Sequence, residues 1–382
     1  MRYTTAGESH GRALVALVTD VPAGVALDLD EINHDLARRQ LGYGRGRRQA
    51  IESDRASILS GVRFGRTIGS PVALTVANRD WENWTDVMSP VGASTSKSVV
   101  TAVRPGHADL GGCQKTAASD ARDILERASA RETAARVAAG GVAKALLRAL
   151  GVHVHSYVAR IGDVSLEPEP EPEGVDFAAV EASDVRCPDE AAAGRMRAAI
   201  DAAKAAGESL GGVIVVTASG LVPGVGGYAE AGQRLDGRLA GALVSIPAIK
   251  GVEFGLGFEA AALPGSQVHD EILFEPGRGF HRATNRAGGI EGGMTNGEHL
   301  VVRIAMKPIP TLMSPLRTVD VATREPVAAS TERSDVCAVP AAGVVAEAEV
   351  AMVLADAYCE KFGRDCLEDM TRALDAYRTR IA

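Results

Sequence analysis

The chain has 382 residues, 46% hydrophobic and 24% charged, an ordinary globular composition with enough length for a substantial core. Its formal net charge of −8 argues against a general nucleic-acid binder, and no apolar run approaches the ~20 residues needed to span a bilayer. Five Cys, odd in number and never in a C-x-x-C pair, argue against a disulfide framework or zinc site and predict reduced thiols in a soluble, cytoplasmic protein.

In chain order, the first feature is Gly7-Glu8-Ser9-His10-Gly11, two glycines bracketing three polar residues. His10 is a general-acid candidate because imidazole titrates near neutral pH. Residues 13–18 read as a strand closed by Pro22-Ala23-Gly24, and residues 29–41 as a polar-faced helix capped by Asp28 or Asp30. An irregular glycine-rich loop follows at residues 42–48. Between Leu36 and Arg66 there are eight Arg against Glu52 and Asp54 alone, so an acidic protein concentrates guanidinium in one segment. Arg38, Arg39, Arg45, Arg47 and Arg48 suit bidentate capture of carboxylate or phosphate. A solvated basic loop or an RNA contact is the competing reading.

Residues 70–77 read as a strand. Arg104-Pro105-Gly106-His107-Ala108-Asp109 is a turn that sets a His beside an Arg and an Asp, which suits protonation of a departing phosphate. A turn with a plain salt bridge is the bland alternative. Residues 119–150 read as the clearest long helix, capped by Ser119 and interrupted at Gly140-Gly141. On it Arg127 and Arg131 share a face, which implies an anion between them or ion pairs with Glu126 and Glu132. His153-Val-His155 lacks a third ligand, so no metal site is expected. The Glu-Pro alternation from Glu167 to Glu173 is a solvated loop.

Residues 212–219 and 300–306 have strand composition. The Gly224 to Ala229 and Gly255 to Ala260 stretches mimic a dinucleotide fingerprint, but neither opens a convincing helix. Asn285-Arg286-Ala287-Gly288-Gly289-Ile290-Glu291-Gly292-Gly293-Met294 suits a backbone lying flat against a cofactor ring, or a plain turn. Lys307-Pro308-Ile309-Pro310-Thr311 offers a cation and a hydroxyl on a stiff frame. Arg333-Ser334-Asp335 joins an Arg and an Asp just before an Ala/Val-rich helix over 343–362, and a last helix runs over 365–381. The pattern predicts α+β and one large domain over 1–382. There is no Gly-Lys dipeptide, hence no Walker A loop.

Taken in this order, G-E-S-H-G, G-Y-G-R-G, R-P-G-H-A-D, E-R-A-S-A-R-E-T, N-R-A-G-G-I-E-G-G-M, K-P-I-P-T and R-S-D-V-C-A-V-P resemble the chorismate synthase family, from Tyr3 to Phe362. The resemblance implies a sandwich of two antiparallel sheets enclosing a helical layer, assembled as a homotetramer. It also implies a lyase: 5-enolpyruvylshikimate 3-phosphate loses phosphate by 1,4-anti elimination to give chorismate, with reduced FMN required and NADPH as a possible reductant.

By motif, His10 is similar to the proton donor to reduced flavin and His107 to the acid for departing phosphate. Asp335 matches a group assisting at flavin N5, and Ser9 and Ser129 match supporting polar groups. Substrate contacts fall on Arg39, Arg45, Arg48, Arg104, Arg131 and Arg333, of which Arg39 and Arg45 compete with an NADP role. Flavin contacts fall on Arg127, Ala128, Ser129, Pro247, Ala248, Gly292, Lys307, Pro308, Ile309, Pro310, Thr311 and Arg333. Pro247 departs from the family's Asn or Gln and removes a side-chain donor. An Arg-loop binding module and a nucleotide-dependent oxidoreductase remain the rival readings.

Overall fold

The computed structural model describes residues 1–46, 53–92, 98–330 and 335–382. Strands β1 (Arg2–Ala6), β2 (Ala13–Thr19), β3 (Ala56–Ser60) and β6 (Val72–Ala77) form an antiparallel sheet of order β1-β2-β6-β3, with a small β4 (Val62–Arg63) and β5 (Arg66–Thr67) hairpin beside it. Alternation decides which face is inward: Leu14, Ala16 and Val18 on β2 and Val72, Leu74 and Val76 on β6 are buried, with less buried residues between them.

A second antiparallel sheet has order β10-β15-β9-β7-β8, from β7 (His153–Ile161), β8 (Val164–Ser165), β9 (Gly212–Ser219), β10 (Ile249–Phe254) and β15 (Leu300–Met306). Between the sheets lie α1 (Leu29–Gln40), α4 (Thr133–Ala149) and α9 (Val339–Phe362). Helix α4 packs on β2 and β6, α9 packs on β7 and β9, and the two helices pack on each other. Helix α9 is buried on nearly every side, which explains its Ala/Val composition: a middle-layer helix has no water-facing stripe to fill with charge. One hydrophobic core runs through both sheets and this layer.

The remaining helices are α2 (Asp109–Thr116), α3 (Arg122–Ala128), α5 (Phe177–Ala182), α6 (Glu190–Ala206), α7 (Leu235–Val244), α8 (Gly265–Val268) and α10 (Leu367–Ile381). Hairpins pair β11 (Ile272–Glu275) with β12 (Gly279–Arg282), β13 (Ile290–Glu291) with β14 (Met294–Thr295), and β16 (Arg317–Val319) with β17 (Pro326–Ala328).

The predicted α+β class and sandwich hold, as do the strands at 212–219 and 300–306 and the Asp28 cap, which accepts from the Asp30 amide at 2.8 Å. The long helix over 119–150 does not. The chain breaks at Ser129, which is extended (φ −65°, ψ 142°), between α3 and α4; Gly140-Gly141 stays helical and Ser119 caps nothing. A Cβ on Gly140 would lie 2.3 Å from the Ala348 Cβ, so this glycine marks the close crossing of α4 and α9. The Gly224 and Gly255 stretches form turns, and neither opens an α-helix within the fingerprint.

Candidate active site

Seven chain segments converge on one cavity of about 290 Å3. They are the loop between β1 and β2, the residues 39–46 stretch at the end of α1, the residues 104–107 turn ahead of α2, the break between α3 and α4, the α7–β10 connection, the residues 307–311 exit from β15, and Asp335 with the start of α9. His10 and His107 therefore face one space.

The His10 loop begins at Gly7, whose φ of +104° and whose missing Cβ, 2.4 Å from the Ala13 carbonyl oxygen, require glycine. Asn78, at the end of β6, pins the loop by donating its Nδ2 to the carbonyls of Glu8 (3.1 Å) and Gly11 (2.6 Å). His10 Nδ1 lies 2.8 Å from Glu126 Oε1, and the ring stacks on Trp84 at a centroid distance of 3.8 Å. Ser129 Oγ donates to Ser9 Oγ at 3.1 Å, tying the loop to the helix break.

At the second imidazole, His107 Nδ1 donates to Asp109 Oδ1 at 2.5 Å. Arg104 grips the same fully buried carboxylate twice, Nε to Oδ2 at 2.8 Å and Nη2 to Oδ1 at 3.1 Å. Burial pushes the Asp109 carboxyl up, but hydrogen bonds from His107 and Arg104 outweigh it and hold it well below the usual carboxylate range. The salt bridge of the bland reading exists, and the same carboxylate orients the His.

Arg39 and Arg131 share one buried carboxylate. Arg131 Nη1 meets both Asp54 oxygens at 2.6 Å, whereas Arg39 Nη1 reaches Asp54 Oδ2 only at 3.4 Å. Burial pushes the Arg39 guanidinium down to about 10, with Asp54 opposing and Arg131 and Arg45 adding to the effect. Arg45 pairs with Asp335 at 2.8 Å, Asp335 also accepts from the Gly46 amide at 2.6 Å, and the buried Arg45 Nε has no hydrogen-bond partner among the described residues. Lys307 Nζ donates to the Gly106 carbonyl at 2.6 Å.

Five cations (Arg39, Arg45, Arg104, Arg131, Lys307) thus meet three carboxylates (Asp54, Asp109, Asp335), a local surplus of positive charge in an acidic protein. The rest of the lining includes a set of apolar residues: Ile246, Pro247, Ala248, Ala338, Ala341, Ala342 and Val345. Ala248 holds a left-handed φ of +72°, fixed by its carbonyl accepting from the Lys307 amide at 2.9 Å.

Ala128, Ser129, Ile309, Pro310 and Thr311 line the cavity as well. Three expected residues do not. Arg127 turns back to the Gly7 and Thr5 carbonyls at 3.1 and 3.0 Å, Gly292 sits in the β13–β14 turn, and Pro308 points elsewhere than into the lining. Because the chain breaks at Ser129, Arg127 and Arg131 do not share a helix face with an anion between them; Arg131 takes Asp54, and Arg127 has Glu132 at 3.8 Å. Arg48 and Arg333, like Arg47 and Ser334, lie outside the described residues.

Sequence reasoning missed Glu126 as a His10 partner, along with Asp54, Asn78 and Trp84. It also missed that Ser129-x-x-Glu132 has capping-box spacing, a signal for the break at Ser129. A second cleft, of about 540 Å3, is lined by Arg38, Lys144, Asp35, Glu181 and Glu347, which pair with one another. Size alone does not select the site; the two imidazoles and the local excess of cations over carboxylates do. Among the described residues no cluster suits a metal ion and no helix is long and apolar enough to cross a membrane.

A model of the chorismate synthase family matches residues 1–359. The chain is 57% identical over 392 residues to a chorismate synthase of Symbiobacterium thermophilum, covering 100% of both chains. It is 57% identical over 378 residues to that of Moorella thermoacetica, covering 99% of this chain and 98% of the relative. A solved crystal structure of chorismate synthase superposes with a TM-score of 0.82 at 43% identity, covering 100% of this chain and 98% of that one.

Proposed function

Because the chain belongs to the chorismate synthase family, a lyase family of aromatic biosynthesis, we propose that its cavity binds 5-enolpyruvylshikimate 3-phosphate together with reduced FMN and releases phosphate and chorismate. The observation that carries this reading is the meeting of two carboxylate-anchored imidazoles, a surplus of cations and a group of apolar residues in one space. A multiply anionic substrate matches the surplus, and the unpartnered Arg45 Nε matches a missing acceptor.

The same apolar residues fit a flavin. The Pro247-Ala248 and Ala338 to Val345 surfaces offer a dry face for a ring system, Ala128 and Ser129 offer backbone at the helix break, and the residues 307–311 segment supplies the Lys307 cation and the Thr311 hydroxyl. When bound there, reduced FMN would supply the electron density that cleavage of an allylic C–O bond needs, with no net redox change. The protein's own work is positional and electrostatic. Arg104 holds anionic oxygen beside His107, whose Nε2 proton goes to the departing phosphate. His10 presents its own Nε2 to the flavin side, and Asp335, braced by Arg45, supplies a carboxylate near the reacting ring.

Assembly as a homotetramer is part of this reading, supported by the exposed apolar residues Phe258, Ile272, Phe274 and Phe280. So is a cytoplasmic location, in keeping with a small, diffusible substrate. Arg39 and Arg45 are assigned to the polyanion here because both line the cavity with Arg104, Arg131 and Lys307; an NADPH role for them is tested by flavin reduction without added reductase. The flavin assignment is tested by titrating the protein with FMN and following flavin fluorescence. We expect saturation at one flavin per chain and roughly tenfold weaker binding in Lys307→Ala, on the scale of one lost charged hydrogen bond; absence of saturable binding rejects the assignment.

A further inference from the structure

Glu126 does more than the family motif asks of it. It is buried, 2% exposed, on the last turn of α3. One carboxylate receives three donors: His10 Nδ1 at 2.8 and 3.1 Å, the His10 backbone amide at 2.8 Å, and Arg122 Nη1 at 3.1 Å. Its own backbone carbonyl accepts from the Ser9 amide at 2.9 Å. The ring face is closed by Trp84, stacked at 3.8 Å with an interplanar angle of 23°, and the Arg122 guanidinium lies 5.3 Å from the same indole.

We propose that Glu126 is a positioning residue for His10: it holds the Nδ1 proton and the loop amide together, so that the ring presents Nε2, and only Nε2, to the cavity. Donation from Nδ1 to a carboxylate fixes the tautomer. With one edge bound and one face covered, the imidazole has no rotamer that hides Nε2. The charge matters as well as the bond. Glu126 and Arg122 from α3 and Trp84 from its turn touch or flank the ring, while Arg104, Arg131 and Lys307 line the same cavity. Among the described residues Glu126 is the carboxylate that offsets those cations at the ring itself. Burial alone pushes the Glu126 carboxyl up, but the His10 bonds and charges hold it below its ordinary value, so it stays ionised.

The inference rests on the reading that His10 serves the flavin side, and the test separates the two. The chain has two Trp, so a Trp81→Phe background leaves Trp84 as the sole indole reporter. A stacked imidazolium quenches indole emission, and the quench is followed against pH with no flavin present. His10→Ala should abolish the titration step. Glu126→Gln should move its midpoint down by about one pH unit or more, the usual worth of a neighbouring opposite charge. In anaerobic turnover, Glu126→Gln should lower kcat by about tenfold with substrate KM within about twofold, while Glu126→Asp, which keeps the charge, should recover part of both readouts. In Glu126→Gln, a midpoint within about 0.3 pH unit and a kcat within about twofold of the parent overturn the proposal, because glutamine lacks the charge and keeps one acceptor oxygen where Glu126 uses two. If Glu126→Gln fails to fold, Glu126→Ala, which removes both the bonds and the charge, carries the test: a midpoint and kcat there like those of the parent also overturn it. Normal turnover in His10→Ala, beside a shifted midpoint in Glu126→Gln, removes the flavin-side role and leaves the positioning role standing.

Discussion

His107 and Asp109 show how the site works at the scale of single residues. The carboxylate is fully buried and held by Arg104 and His107, so the imidazole is fixed before substrate arrives. His107→Ala should slow single-turnover phosphate release by about 10²–10⁴-fold. Asp109→Asn should slow it less and leave KM nearly unchanged; rapid-quench phosphate assays check both. Because the folded Asp109 value is depressed, its pairing stabilises the protein above the ordinary carboxylate value and is lost only as pH falls through the depressed one. No stability change between about pH 5 and 9 should therefore trace to Asp109. At Pro247 the missing side-chain donor predicts that Pro247→Asn binds FMN more tightly, read by the same fluorescence titration. Residues with their own local signal, such as a His set off by glycines or an Arg in a tight turn, were legible in the sequence. Glu126, Asp54 and Asn78 were not, because each acts on a partner brought from a distant stretch: Glu126 lies 116 positions from His10.

Element by element, the helical layer explains both what was legible and what was not. Strands at 212–219 and 300–306 announce themselves by β-branched runs. The break at Ser129 lies inside a continuous helical pattern, and Gly140-Gly141 carries the composition signal of a helix break although Gly140 serves a helix contact. Gly140→Ala tests this: alanine favours a helix by about 1 kcal/mol, but its Cβ would meet Ala348 at 2.3 Å and overpacking costs about 1–3 kcal/mol. The account predicts a net loss of stability in denaturant unfolding, whereas an isolated helix would gain. The same layer buries Glu347, which accepts from Arg38, Lys144, Arg186 and Ser156 and so joins α9 to α1, α4 and β7. Burial pushes its carboxyl up, yet Lys144 and Arg38 hold it well below the ordinary range. That stabilisation is present above the unfolded value of about 4.3 and lost as pH falls through the depressed folded value. Glu347→Ala should cost about 3–5 kcal/mol in denaturant unfolding, because three cations lose their common acceptor; a change under about 1 kcal/mol would contradict the network's role.

For the whole molecule, composition gave an acidic, globular α+β chain, but neither the sandwich nor the cavity follows from composition or periodicity; both came into view through ordered motifs. The reason is topological: the site is built where seven separated segments meet, and local pattern carries no information about which loops share a space. Assembly is predicted by the β11–β12 hairpin, where Phe274 and Phe280 are 58% and 70% exposed and lie 5.1 Å apart. Phe274→Asp with Phe280→Asp should lower the molar mass measured by light scattering below that of a tetramer while leaving the circular dichroism spectrum intact. Above all, the proposed function requires the cavity to do one reaction with one flavin and one polyanion. The decisive measurement mixes the protein anaerobically with 5-enolpyruvylshikimate 3-phosphate and a small amount of reduced FMN, following phosphate, chorismate and the flavin spectrum together. Equal phosphate and chorismate, many turnovers per flavin, and a flavin still reduced at the end are the predicted result; no phosphate release, or turnover undiminished without flavin, would contradict it.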